Sequence, residues 1–331
     1  MARGPVIFTR DAYEAAAGIV YEHLQPTLQH NWPLLAQELG CEVWLKHENQ
    51  TPLGAFKVRG GLVHMRRRKE AGKLNGVITA STGNHGQSIP NAARIEGIAA
   101  TVVVPKNNSA EKNAAMRALG ARLIEVGDDF ADAVAYARQL ARDENLDMIP
   151  SFHEDLVLGV STYAHELFSA AGALDVVYVP IGLGSGICGT MGMRDMLGLK
   201  TKVVGVVAKG ANTYALSYEA GNAVPTNRAE TFAEGVAVRE PNPEAVALIN
   251  AGADHIVEVT DAQIQDAMRL IFRATHNIAE GAGAVALAAV MAETAQLDGQ
   301  RVGAVLSGGN IDAAKYAAIL SGQMDAGRSS R

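Results

Sequence analysis

The chain has 331 residues, 48% of them hydrophobic and 19% charged, which is enough material for a sizeable core and excludes a wholly disordered chain. A net charge of −6 excludes a general nucleic-acid binder, and the densest basic run, Arg66-Arg67-Arg68-Lys69, reads as the solvated face of a helix. The two cysteines, Cys41 and Cys188, lack metal-ligand spacing, the N-terminus lacks a signal-peptide core, and no apolar run reaches membrane-spanning length, so a soluble cytoplasmic protein is expected.

Asp11–Leu24 reads as an amphipathic helix with Ala15, Ile19, Val20 and Leu24 on one side. Cys41–Lys46 alternates like a strand. Thr51-Pro52-Leu53-Gly54 forms a turn, and Lys57 follows near the start of a helix running towards Glu70. A lysine set among Ala55, Phe56 and Val58 has a partly desolvated amine, and its lowered pKa suits attack on a carbonyl or proton transfer. The plain alternative is a helix lysine that snorkels to water.

From Gly76 the pattern becomes β-α-β-α. Strand-like runs at Gly76–Ala80, Ala100–Val104, Arg122–Val126 and Asp147–Ile149 are separated by helical stretches at about 85–97, 109–119 and 129–144. A second series follows Pro150, with strands near 175–179, 202–207, 255–259 and 302–306. The fold class expected is α/β with two lobes, each a mainly parallel sheet flanked by helices, and a ligand cleft between them. Residues 1–74 and 152–331 form the larger lobe and 75–151 the smaller. The tail Ala326–Arg331 is expected to fray.

Three polar, glycine-bearing loops follow strands. In the first, Ala80-Ser81-Thr82-Gly83-Asn84-His85-Gly86-Gln87, a helix begins where hydroxyls and an amide cluster, which suits a carboxylate; a plain N-cap by Ser81 or Thr82 explains part of it. The second, Pro180-Ile181-Gly182-Leu183-Gly184-Ser185-Gly186-Ile187-Cys188-Gly189, lets backbone approach a phosphate. Read as Gly184-x-Gly186-x-x-Gly189 it is a dinucleotide fingerprint, but the next strand, Val203–Lys209, has no acid to hold a ribose, so a monophosphate fits better. The third, Ser307-Gly308-Gly309-Asn310, offers a hydroxyl to a ligand lying across the strand ends.

The order of these motifs resembles the fold type II pyridoxal-phosphate enzymes, in particular the serine/threonine dehydratase and serine racemase group. Leu45-Lys46-His47-Glu48 with Gly54-Ala55-Phe56-Lys57-Val58-Arg59-Gly60 is similar to the family's cofactor-lysine signature, Ser81–Gln87 to its asparagine loop, and Ala233–Val238 to a segment beside the cofactor ring. The similarity runs from about residue 10 to 323. It implies that Lys57 carries pyridoxal 5'-phosphate as a Schiff base and, once freed, removes the substrate's α-proton. It also implies that Asn84 contacts the ring oxygen, that Ser81, Thr82, Gly83 and His85 receive the substrate carboxylate, and that Gly182, Leu183, Gly184, Ser185 and Gly186 cradle the phosphate. Gly235 would line the ring face, Glu280 would sit near the ring, and Ser307 would face the pyridine nitrogen. A neutral serine there disfavours a long-lived carbanion and suits rapid loss of a β-hydroxyl.

The implied activity is elimination from a 3-hydroxy amino acid, with L-threonine or L-serine as default substrate, to a 2-oxo acid and ammonia. A bulkier substrate such as 3-phenylserine is one alternative. Serine racemisation, with Thr82 supplying a hydroxyl on the opposite ring face, is a second, and a nucleotide-binding protein built on Gly184–Gly189 is a third. The resemblance also suggests a homodimer.

Three features depart from the family pattern. Leu183 and Ser185 interrupt the usual run of glycines. No acid occurs in Gly205–Thr213, where relatives bind a divalent cation, so no metal is expected there. Pro90 should bend the helix after the asparagine loop. The chain stops near residue 325, so no regulatory C-terminal domain and no feedback control by isoleucine are expected.

Overall fold

Short apolar strands alternating with helices build two sheets in a computed structural model that describes residues 7–72 and 74–324. The elements run α1 (Arg10–Tyr21), β1 (Gln29–Asn31), α2 (Pro33–Leu39), β2 (Glu42–His47), α3 (Lys57–Ala71), β3 (Val77–Ala80), α4 (Asn84–Ile95), β4 (Ala100–Val104), α5 (Ala110–Ala118), β5 (Arg122–Glu125), α6 (Phe130–Asp143) and β6 (Asp147–Met148). They continue α7 (Glu154–Ala171), β7 (Val176–Pro180), α8 (Ser185–Met196), β8 (Lys202–Ala208), α9 (Thr213–Ala220), α10 (Pro243–Gly252), β9 (Ile256–Val259), α11 (Asp261–Thr275), α12 (Gly281–Ala292), β10 (Arg301–Leu306) and α13 (Ala313–Leu320). The expected fraying of Ala326–Arg331 lies outside the described residues.

The larger sheet has the order β1-β2-β10-β7-β8-β9 and the smaller β5-β4-β3-β6. Every pairing is parallel except β1 on β2. β8 and β10 are buried almost throughout, as strands with helices on both faces must be. On one face of the larger sheet, α12 is apolar all round and lies in a core with α11, Leu35 and Ile319; on the other, Val157, Tyr163 and Leu167 of α7 pack with Ile187 and Met191 of α8. A third core joins Val20 of α1, Val58 and Leu62 of α3 and Ile89 of α4, so the sheets are bridged by helices rather than by a hinge alone. α4 continues through Pro90, giving up the hydrogen bond that a residue there would otherwise donate.

The insertion of β10 between β2 and β7 matters most for the site. Its register sets Leu306 beside His47 of β2 and Ala304 beside Tyr178 of β7. The C-terminal ends of β2, β10 and β7 are therefore level, and the loops that leave them meet at one edge.

Candidate active site

The turn after β2 sets the first group in place. Gly54 has φ +68, a conformation that suits glycine, and its N–H closes a turn on the Thr51 carbonyl at 2.8 Å. Thr51 Oγ1 accepts from the Ala55 N–H at 3.0 Å and donates to the Ala55 carbonyl at 2.9 Å. Phe56 N–H then bonds the Ser307 carbonyl at 3.0 Å, which ties this turn to the end of β10. α3 starts at the next residue, so Lys57 projects from a helix start held by two strands' loops.

Lys57 keeps some accessible surface, yet burial pulls its amine from 10.5 down to about 8. Protein has displaced most of the water around the side chain. Its Nζ donates to Ser185 Oγ at 3.4 Å and lies 5.2 Å from the centre of the Phe56 ring. No carboxylate is bonded to it among the described residues, so nothing restores the lost hydration of its charge.

Ser185 opens α8, and the amides of that first turn have no intrahelical acceptor. Gly184 reaches the helix with φ +101. A Cβ on Gly182 would come within 2.5 Å of the Gly235 carbonyl oxygen, and one on Gly235 within 2.8 Å of Ala282 Cβ, so bare backbone is required where these segments meet. Tyr163 and Tyr214 hold this loop from behind, donating to the carbonyls of Gly186 (2.9 Å) and Leu183 (3.0 Å). Tyr163 also meets the Phe56 ring edge-on, coupling the loop to the residue before Lys57. Sequence patterning gave no sign of either tyrosine's role. Gly189 lies inside α8 against Val157 and Ser161, so the last glycine of the dinucleotide-like run serves helix packing.

The asparagine loop faces the same cleft. Ser81 Oγ accepts from the Gly86 and Gly83 N–H groups at 3.0 and 3.4 Å, the local capping expected of a hydroxyl there. Asn84 Nδ2 donates to Glu280 Oε1 at 2.7 Å, while Asn310 Nδ2 donates to Asn84 Oδ1 at 2.8 Å and to the Leu53 carbonyl at 2.7 Å. A Cβ on Gly308 would meet Glu280, Ala55 and Asn84 together, so its absence lets these three converge. Burial pushes the Glu280 carboxyl up to about 7 despite Lys112 and Asn84 nearby. His85 is buried and held neutral, its pKa lowered to about 3 by burial first and by Lys57 and His64 next. Ser307 Oγ donates to the Ala282 carbonyl at 3.2 Å. Thr82 and Gly83 are half-buried at the cleft wall.

The structure thus gathers Lys57, Asn84, Ser185, Glu280 and Ser307 at one edge and sets Gly182 against Gly235. Asn310, Lys112 and Ser109 join the two tyrosines as participants that sequence patterning does not mark. Lys112 binds Glu234 across the cleft, and Ser109 Oγ donates to Asp312 Oδ1 at 2.5 Å, so α5 is fastened to the loop before α13. After β8, the run Lys209–Thr213 forms a short turn with Lys209 exposed.

The donor set fits a phosphate-bearing aldehyde cofactor. A desolvated primary amine suits imine formation, and the glycine cradle at a helix start suits a phosphate. The loop is held close to its neighbour by bare backbone: a side chain on Gly182 would push against the Gly235 carbonyl.

The comparisons with known proteins agree with this geometry. A family profile described as "Pyridoxal-phosphate dependent enzyme" matches residues 20–308. The chain is 30% identical over 311 residues to an L-threo-3-hydroxyaspartate ammonia-lyase of Saccharomyces cerevisiae, covering 94% of this chain and 95% of that one. It is 34% identical over 296 residues to a biosynthetic L-threonine dehydratase of Salmonella typhimurium, covering 88% of this chain and 58% of the longer relative. Among solved structures it is similar to the processed form of threonine deaminase isoform 2 from Solanum lycopersicum, with TM-score 0.87 and 28% identity over 97% of this chain and 96% of that one.

Proposed function

The chain belongs to the pyridoxal-phosphate-dependent enzymes, and from that premise we propose that it is an ammonia-lyase that eliminates water from a 3-hydroxy amino acid, leaving a 2-oxo acid and ammonia. The observation that carries this reading is the Lys57 amine, desolvated to a pKa of about 8 and set 3.4 Å from Ser185 at the mouth of a glycine cradle.

Pyridoxal phosphate, when bound, supplies an electron sink for negative charge developing at the substrate's α-carbon. The chain's own residues do the rest. Lys57 Nζ is the attachment point and, when free, the base that takes the α-proton; at a pKa of about 8 it is deprotonated often enough near neutrality to serve both roles. Gly182, Leu183, Gly184, Ser185 and Gly186 hold the phosphate on the amides that open α8. Asn84, fixed by Asn310 and Glu280, orients the ring's oxygen, and Gly235 leaves its face uncovered. Ser307, whose hydroxyl donates to the Ala282 carbonyl, would offer the bound ring a neutral oxygen rather than a carboxylate. The loop of Ser81, Thr82, Gly83 and His85 would receive the substrate carboxylate. Lys112–Glu234 and Ser109–Asp312 fasten α5 to the segment beside Gly235 and to the start of α13.

For the substrate, L-threonine and L-serine are the default. A second reading, L-threo-3-hydroxyaspartate, is favoured by one observation: two lyases for that compound match this chain over more than nine-tenths of their own length. Racemisation rests on the Thr82 hydroxyl at the cleft wall. The reading includes a cytoplasmic homodimer whose larger lobe is 1–74 with 152–331 and whose smaller is 75–151; the buried free thiols of Cys41 and Cys188 support a reducing compartment. Among the described residues, no helix is long and apolar enough to cross a membrane.

The test is a visible spectrum of the protein loaded with pyridoxal phosphate, before and after borohydride, followed by incubation with L-serine, L-threonine, L-threo-3-hydroxyaspartate and 3-phenylserine. A borohydride-sensitive band and 2-oxo acid from at least one substrate are expected. D-serine without pyruvate would convert the reading to a racemase. A colourless protein, or no 2-oxo acid from any of the four, would overturn it.

A further inference from the structure

Away from the cofactor loops, α3 and α7 press backbone to backbone. A Cβ on Gly60 would lie 2.8 Å from the Leu156 carbonyl oxygen, and one on Gly159 2.3 Å from that of Arg59. Two turns along α3 from Lys57, this contact brings His64 against the start of α7, where His153 is the N-cap and Asp155 lies in the first turn. His64 Nδ1 is 3.0 Å from Asp155 Oδ2, and His153 Nδ1 is 3.2 Å from the same oxygen. The imidazole rings meet at 4.6 Å between centres. One ligand atom from each residue lies within 4.8 Å of the others.

Hydrogen bonding alone leaves this cluster in conflict. His153 Nδ1 accepts from the Asp155 N–H at 3.2 Å, so it must be bare of a proton there, yet it faces a carboxylate oxygen at the same distance. If the nitrogen is protonated instead, it serves the carboxylate and abandons the amide. His64 meets Asp155 through Nδ1, while its Nε2 is buried without a partner. Two imidazole nitrogens converging on one carboxylate oxygen form a set of three donors that a single cation can take as ligands together.

We propose that His64, His153 and Asp155 form a binding site for a divalent transition metal of the zinc type, with water as the fourth ligand. The N,N,O donor set suits zinc and its neighbours and does not suit calcium or magnesium. Tetrahedral bonds of about 2.0–2.1 Å place adjacent donors roughly 3.3 Å apart, close to the separations of the two nitrogens from the shared oxygen. Arg67 Nη1 donates to the other carboxylate oxygen, Oδ1, at 2.6 Å, which orients Asp155 and leaves Oδ2 free for an ion. His64 and Asp155 are buried, while the His153 side chain is 38% exposed, giving an ion and its water a way in. The ion would clamp α3, the helix that begins with Lys57, to the start of α7.

The test uses tag-free holoenzyme, stripped with a chelator, dialysed against zinc and desalted before elemental analysis. One zinc per chain and a rise in melting temperature on adding zinc are expected, with tetrahedral absorption bands when cobalt(II) replaces it. His153→Ala and His64→Ala should each lose the retained metal and the thermal shift while keeping the cofactor spectrum; His23→Ala, on the surface, should keep both. His153 is exposed enough for its variant to decide the matter if His64→Ala does not fold. A wild type that retains no zinc, or variants that retain as much as wild type, would reduce the cluster to a hydrogen-bonded triad only and overturn the proposal.

Discussion

Lys57 should cost the folded protein stability in the pH range where the enzyme works. Burial lowers its amine from 10.5 to about 8, and no anion offsets that penalty. Below pH 8 both folded and unfolded chains carry the proton, so the folded chain bears the whole cost. The drop from 10.5 to about 8 corresponds to a cost on the order of 3 kcal/mol. Between pH 8 and 10.5 the folded chain has released its proton and the unfolded chain has not, so stability rises with pH across that window. At pH 9.5 only a cost on the order of 1 kcal/mol remains.

Lys57→Met keeps the length and removes the charge. Cofactor-free Lys57→Met should therefore be more stable than cofactor-free wild type at pH 7, and its advantage should shrink by about 2 kcal/mol on going to pH 9.5. Denaturant unfolding of both proteins at the two pH values measures this, with Lys209→Met as an exposed-lysine control. The pH dependence of Lys57 acylation in the cofactor-free protein, followed by mass spectrometry, should give a midpoint near 8. An advantage that does not change with pH, or an acylation midpoint near 10.5, would refute the claim that the cleft has activated this amine by desolvation.

Three further outcomes follow from the site and its supports. Glu280, raised by burial to about 7, favours the folded state fully below its unfolded value of 4.5 and loses that contribution as pH rises towards 7; Glu280→Gln should gain on wild type across that interval in urea titrations. Gly182→Ala sets a Cβ 2.5 Å from the Gly235 carbonyl; a fluorescence titration should show cofactor binding weakened roughly tenfold or more, about 1.4 kcal/mol. Arg59 is fully buried between Glu48 and Glu166, with its Nε 2.7 Å from Glu48 and its Nη1 2.6 Å from Glu166. Arg59→Met leaves two buried carboxylates with Lys46 as the one nearby cation among the described residues and should cost about 3–5 kcal/mol by urea midpoint, part of it recovered in a double variant with Glu166→Gln.

Much of the fold was legible because the central strands of both sheets obey one simple rule: a strand buried on both faces is a short unbroken apolar run. Val102, Val103 and Val104, and Val203 to Val207, show it plainly, and their boundaries fall within a residue or two of the expected ones. β1 escaped because Gln29–Asn31 is a three-residue polar edge strand with no alternation to read, and α2 escaped with it. Strand order was beyond reach for a different reason. Nothing local to Arg301–Leu306 says that it slides between β2 and β7, yet that insertion brings Ser307 and Gly308 onto the Lys57 turn.

The loops that carry the chemistry were legible as loops because their side chains are more polar than turns or caps require. Their partners were not, because each partner is chosen by tertiary distance. Asn84 reaches Glu280 across 196 residues, and its other end is set by Asn310, across 226. Tyr163 looks in sequence like any core tyrosine, and only the packing of α7 on α8 puts its hydroxyl on the Gly186 carbonyl. The same distinction explains Arg59. It sits two residues from Lys57 in one motif, but its partner Glu166 arrives from α7, and a buried neutral set of Lys46, Arg59, Glu48 and Glu166 cannot be seen until both helices are in place. Lys57 and Arg59 are thus two residues apart in sequence but sit in opposite environments. Arg59 keeps its charge inside the protein because two carboxylates meet it, and the Lys57 amine has its pKa lowered because none does.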